Sequence, residues 1–225
     1  MRNRASGVRR DDVLRVLFAL LGLIVMLSAG VSSANAHPHV WITAKSQVIY
    51  APDGTITGVR HAWTFDDMFS TYALQGIEAK TKGAYSREEL APLAQINVES
   101  LKEFNYFTFA RADGKKERFL EPVDYFLEYK DSLLTLHFTL PAKAPFKAKQ
   151  TALEVFDPSF FIDFKFADKE PVKLVGAPAD CKMAFQRPGD GTAGAQKLGE
   201  QNFMGGGDGA NYGAMFANKI MVECP

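Results

Sequence analysis

The chain has 225 residues, with 26 basic and 26 acidic side chains and no formal net charge. That balance gives no electrostatic footprint for nucleic acid, whose binding rests on a basic surface. Eighteen phenylalanines supply ample material for an apolar core, and the length fits one or two domains.

The N-terminus reads as an export signal. Arg2, Arg4, Arg9, Arg10 and Arg15 precede an apolar run over 16–31, and Ala34-Asn35-Ala36 fits a small-x-small cleavage site. The run falls short of the ~20 apolar residues that cross a bilayer, so cleavage is expected rather than an uncleaved anchor. Asp11 and Asp12 stand where a twin-arginine signal would carry apolar residues, and no cysteine follows the cleavage site to take a lipid. Residues 1–36 are then a signal peptide, and 37–225 a single periplasmic domain without a membrane span. That domain keeps 21 basic and 24 acidic side chains, a net charge of −3. Cys181 and Cys224 both lie in it, and an oxidising compartment makes a disulfide between them the default. Such a bridge is worth ~3–4 kcal/mol in the chain-entropy model.

From His39 to Tyr50 the chain alternates. Val40, Ile42, Val48 and Tyr50 take one face; His39, Trp41, Thr43, Lys45 and Gln47 take the other, as in a half-buried strand. Pro52-Asp53-Gly54 predicts a type I turn closed by a left-handed glycine, and residues 57–67 the return strand. This turn pairs Ala51 with Thr55. Continued without a slip, the register sets Trp41 opposite Phe65, Lys45 opposite His61, and His39 opposite Asp67.

Asp66 or Asp67 can cap a following helix, with Phe69, Tyr72, Ala73, Gly76 and Ile77 as its apolar stripe. Ser86 and Glu89 form a capping box for a second helix, along which Leu90, Leu93, Ala94, Asn97, Leu101 and Phe104 recur at helical spacing. From Tyr106 the pattern is β. YFTFAR and KERFL flank a turn at ADGK; VDYFLEY and LLTLHFTL flank Lys130-Asp131; TALEVFD, FFIDFKF, VKLVG, CKMAFQR and NKIMVEC continue the series. The glycine-rich stretch 188–213 reads as a mobile loop. The expected fold is α+β: a mainly antiparallel, sandwich-like β protein with a two-helix insertion, 66–105, after the first hairpin, and a β-rich part over 106–225.

Two of the four histidines, His37 and His39, stand directly behind the cleavage site. On extended chain, residues two apart point to the same face, so both imidazoles can meet one ion. Cleavage after Ala36 would also free an α-amine on His37. Imidazole donors suit Zn, Ni, Co or Cu. An amino-terminal Cu/Ni motif that uses the amide of its second residue is excluded, because Pro38 has no N–H to lose. A histidine-brace copper site on His37 remains open.

Asp66 or Asp67 is the expected carboxylate neighbour, and Asp157, before Pro158, can complete a shell by folding. His61 and His137 are lesser candidates. His61 has a competing reading as a hydrogen-bonded histidine among aromatic neighbours, and His137 shares a polar face with Thr135 and Thr139. Residues 78–89 have the outline of a calcium loop, with Glu78, Gly83 and Glu89 at the first, sixth and twelfth places. Lys80 and Lys82 stand where that loop needs acidic ligands, so no calcium binding is expected. No nucleophile elbow or phosphate-cradling glycine loop is found, and no enzymatic activity is expected.

AHPHVWI, VRHAWTFDDMFS, SLKEFNYFTF, EPVDYFLEYKDSLLTLHFTLP, LEVFDPSFFIDF and FANKIMVECP together resemble an uncharacterised bacterial periplasmic family. The similarity runs over essentially the whole exported part. That family is labelled a periplasmic component of an ABC-type transport system, and its members occur beside nickel/cobalt-type permeases. The resemblance implies divalent-metal handling, with the family's histidine pair at His37 and His39, its helix-entry aspartate at Asp66 and its Asp-Pro turn at Asp157 and Pro158. Many members carry a more acidic calcium-type loop where this chain has Lys80 and Lys82.

The leading expectation is therefore a periplasmic metal-binding accessory protein, with an inner-membrane metal permease as partner. The alternatives are a histidine-brace copper carrier or enzyme, and a metal-free adaptor of a permease.

Overall fold

The computed structural model describes residues 38–81, 83–188 and 212–225. The expected signal peptide, His37, Lys82 and residues 189–211 of the glycine-rich stretch lie outside the described residues. Among the described residues, eleven strands and two α-helices follow in chain order: β1 Val40–Tyr50, β2 Ile56–Phe65, α1 Asp67–Ala73, α2 Arg87–Leu101, β3 Thr108–Ala112, β4 Lys115–Glu117 and β5 Val123–Lys130. Then come β6 Leu133–Phe146, β7 Gln150–Val155, β8 Ile162–Phe166, β9 Val172–Val175, β10 Lys182–Gln186 and β11 Asn218–Glu223.

One sheet runs β5-β6-β2-β1-β8, with β9 also on β1; the other runs β10-β11-β7-β3-β4. The α+β class and the two-helix position between β2 and β3 match the expectation. The pairing of β1 with β8 and β9 departs from it, because both are parallel. The chain returns to that edge after β7 has crossed to the other sheet.

β1 keeps its predicted alternation, with Val40, Ile42, Ala44, Ser46, Val48 and Tyr50 buried. Its turn also forms as predicted: the Ala51 amide donates to Thr55 O at 2.8 Å, and Gly54 takes φ +81°. Asp53 fixes the turn by accepting from the Thr55 amide and hydroxyl.

The register then slips by one. Tyr50 pairs Ile56, but Ile49 pairs Gly58, so Thr57 is the extra residue of a bulge. Gly58 permits the bulge because β6 comes very close there; a Cβ on it would lie 2.5 Å from Leu140 O. Beyond the slip Lys45 faces Ala62 and Ser46 faces His61. The unslipped pairing of Lys45 with His61 is therefore corrected, and His61 turns inward.

The interior lies between the sheets and under the helices. Trp63 packs edge-on against Phe138 and Phe164, each with ring centroids 4.8 Å away. Leu90, Ala94 and Val98 bury one stripe of α2, while Phe104, expected on that stripe, falls beyond the helix and is exposed. The predicted stripe on α1 ends early, because the helix stops at Ala73, and Tyr72 faces solvent.

The two sheets are joined at their margins. Residues 118–120 leave β4 and bond to β6, through Leu120 N to Pro141 O and Lys143 N to Arg118 O, both 2.8 Å. Across the interior, the buried amide of Asn218 on β11 donates to Phe164 O and accepts from Phe166 N on β8. The disulfide between Cys181 and Cys224 fastens β10 to the end of β11.

Candidate metal site

His39 is an exposed imidazole immediately before β1. Its amide donates to Phe161 O at 2.8 Å, and its ring lies on the Phe161 ring with centroids 4.7 Å apart. Phe161 thus fixes both backbone and side chain of His39. Nothing in the sequence pattern marked it, since the contact comes from parallel pairing across 122 positions.

Asp157 positions that phenylalanine. It is buried, and its Oδ1 accepts from the Ser159 amide and hydroxyl while its Oδ2 accepts from the Ile162 amide, at 2.8, 2.8 and 3.0 Å. These bonds fold 157–162 into a tight loop with Phe160 at φ +57°. Gly213 packs on the loop so closely that a Cβ there would meet Asp157 O. A burial-driven carboxylate with three N–H and O–H donors is satisfied by this work alone.

Asp66 caps α1, accepting from Phe69 N at 2.8 Å, and its second oxygen accepts from Trp41 N at 2.9 Å. The Asp66 amide returns a bond to Trp41 O at 3.0 Å. One aspartate therefore ties the helix start to the head of β1. The expected opposition of His39 and Asp67 does not occur in the ladder, whose last pair is Ile42 with Phe65. Asp67 is exposed in the first turn of α1 and accepts from Met68 N.

His61 is fully buried between the sheets. Its Nδ1 meets Ser46 Oγ at 3.0 Å and its Nε2 meets Thr108 Oγ1 at 3.2 Å. Burial lowers its pKa to about 3, so the ring is neutral in the folded protein. It is the hydrogen-bonded histidine among aromatics, with Trp63 and Phe138 at 5.3 and 5.1 Å. His137 lies on the outer face of the same sheet, stacked on Phe126 at 4.5 Å and paired with Glu128 at 3.1 Å. The two are neighbours in the β2–β6 ladder, where His61 pairs Phe138 and His137 pairs Ala62, but one ring is buried in the interior and the other lies on the outer face.

In the calcium-loop outline, both Glu89 oxygens accept backbone amides, Lys80 N at 2.8 Å and Ser86 N at 2.7 Å. The capping box uses the residue that would close the loop. Among the described residues no three His, Cys, Asp or Glu side chains converge on a point that could hold a metal. A site at the head of β1 would draw on His39 and on His37 outside the described residues, while both carboxylate oxygens of Asp66 and of Asp157 already accept hydrogen bonds.

The described part is thus a two-sheet α+β domain with one exposed histidine held at the entry of its central hairpin. A family model described as "Protein of unknown function (DUF1007)" matches residues 22–224, and the chain belongs to that family. Over 93 residues it is 30% identical to a Spirochaeta aurantia protein named as an uncharacterized 15.5 kDa protein in the trpE 3′ region. That stretch is 41% of this chain and 66% of the relative. No helix among the described residues is long and apolar enough to cross a membrane.

Proposed function

We propose that the protein is an exported accessory of a transition-metal transport system, and that His37-Pro38-His39 carries the metal as cargo. The observation that supports this is the fixing of His39: an exposed ring whose backbone and face are both held by Phe161. A ligand held in one orientation loses little freedom on capturing an ion. The cargo is Zn, Ni, Co or Cu by donor type, and the partner is an inner-membrane permease. Calorimetry of the processed protein with each of the four metals tests the reading. Binding that survives His37→Ala/His39→Ala unchanged would sink it. Retaining Ala36 separates a site of two rings, which weakens, from a histidine brace for copper, which is lost.

A metal-free adaptor of a permease is the second reading. It is favoured by the carboxylates of Asp66 and Asp157, which are engaged by backbone amides. Co-purification with the permease that persists in EDTA, with no metal bound by calorimetry, is its expected result.

A further inference from the structure

A cleft opens in the β-rich part, beside β3 and β4. β4 pairs with β3 only over residues 110–112, because 118–120 cross to β6. A cleft of about 610 Å³ opens where the two strands part. Its size is in the ~300–1,000 Å³ range of small-molecule sites.

One wall is unusual backbone. Asn105, Tyr106 and Phe107 are three successive non-glycine residues with φ of 51°, 54° and 47°. Left-handed backbone is strained for a residue with a Cβ and persists only where the surroundings enforce it. Here Thr108 Oγ1 donates to Tyr106 O at 2.8 Å and Phe156 N to Phe107 O at 3.1 Å. With Tyr106 and Phe107 buried, packing and these hydrogen bonds hold the wall in this conformation.

The cleft carries an excess of cations. Lys102 is paired with Glu121. Lys116, Arg118 and Lys143 also line it, with Glu117 as the remaining carboxylate. None of those three cations enters an ion pair among the described residues. Beside them stand Phe119 and Leu120, and Leu120 is 47% exposed although apolar. Cations outside any ion pair among the described residues and an uncovered apolar side chain in one concavity suit a ligand with both characters.

We propose that this cleft binds a small organic anion, its charged group against Lys116, Arg118 and Lys143 and its apolar body against Phe119 and Leu120. The site is independent of the metal reading, since it shares no residue with the head of β1.

The probe is 1-anilinonaphthalene-8-sulfonate, titrated by fluorescence into the folded protein. N-phenyl-1-naphthylamine, which has the aromatic body without the sulfonate, is the neutral control. Saturable binding of the sulfonate is expected, weakened at least ~10-fold in Lys116→Glu/Arg118→Glu/Lys143→Glu, as loss of about 1.4 kcal/mol or more requires. The neutral control should change less than ~2-fold by the same arithmetic. All three side chains are exposed; should the triple reversal fail to fold, Lys116→Gln/Arg118→Gln/Lys143→Gln serves instead, with a smaller loss in the same direction. Absence of saturable binding, equal affinity in wild type and variant, or equal weakening of both probes would overturn the proposal.

Discussion

His61 on β2 and Thr108 on β3 meet across the interior, Nε2 to Oγ1 at 3.2 Å, so one imidazole joins the two sheets. Burial holds its pKa at about 3, below the ~6.5 of an unfolded histidine. Between those values the unfolded chain binds a proton that the folded protein does not. Stability is therefore fully present above the unfolded value and is lost as pH falls toward 3. From pH 7.5 to pH 5 this group alone should remove about 2 kcal/mol. Urea midpoints at the two pH values measure it. His61→Gln offers an amide to Ser46 and Thr108 without titrating, and should flatten the slope. An equal slope in wild type and variant would mean that other groups carry the acid sensitivity.

What was legible in the sequence was local. The β1 alternation, the Pro-Asp-Gly turn and the Ser86–Glu89 box depend on residues a few positions apart, and each formed as read. The Thr57 bulge was not visible, because Gly58 is needed there by the approach of Leu140 O, 82 positions away. A signal for its consequence did exist: Val59, His61, Trp63 and Phe65 share one parity, which places His61 with the apolar side chains. Asp66 and Asp157 were named as candidate ligands from their places before a helix and before Pro158. What each holds (Trp41 and Phe69 for Asp66, the 157–162 loop for Asp157) required the parallel edge of β1 and the helix entry in three dimensions.

Asp66 separates scaffold from ligand. Asp66→Ala removes the acceptor of two backbone amides and should cost about 1–2 kcal/mol, a fall of roughly 2–8 °C in Tm for a domain of this size. Asp66→Asn keeps a capping oxygen and should lose less. If Asp66 acts only as this tie, metal affinity in Asp66→Asn stays within ~2-fold of wild type. A loss of ~10-fold or more, about 1.4 kcal/mol, with Tm preserved would make it a ligand.

Asn218 is fully buried, and its amide bridges β11 to both Phe164 O and Phe166 N of β8. Asn218→Ala leaves two backbone groups without partners in the interior. Each unsatisfied group costs ~1–3 kcal/mol, so a loss of about 2–6 kcal/mol in denaturant unfolding is expected. Asn218→Asp should be comparably harmful, since a carboxylate cannot donate to Phe164 O and its charge would be buried. A loss under ~1 kcal/mol for both variants would show that water or a rearranged β8 replaces the bridge.

The disulfide acts on a long stretch of chain. Cys181 and Cys224 are 43 positions apart, and closing a loop of that size in the unfolded chain is worth about 4 kcal/mol by chain entropy. Cys181→Ser/Cys224→Ser should therefore lower the unfolding free energy by ~2–4 kcal/mol. The effect has a direction in the fold as well. Among the described residues β10 pairs only with β11 and lies at the sheet edge, so without the bridge its amides should exchange with solvent sooner than those of β7 and β3. Hydrogen exchange followed strand by strand checks this. Uniform acceleration across the whole sheet would indicate that the bridge restrains the unfolded chain only, with no added hold on the β10 edge.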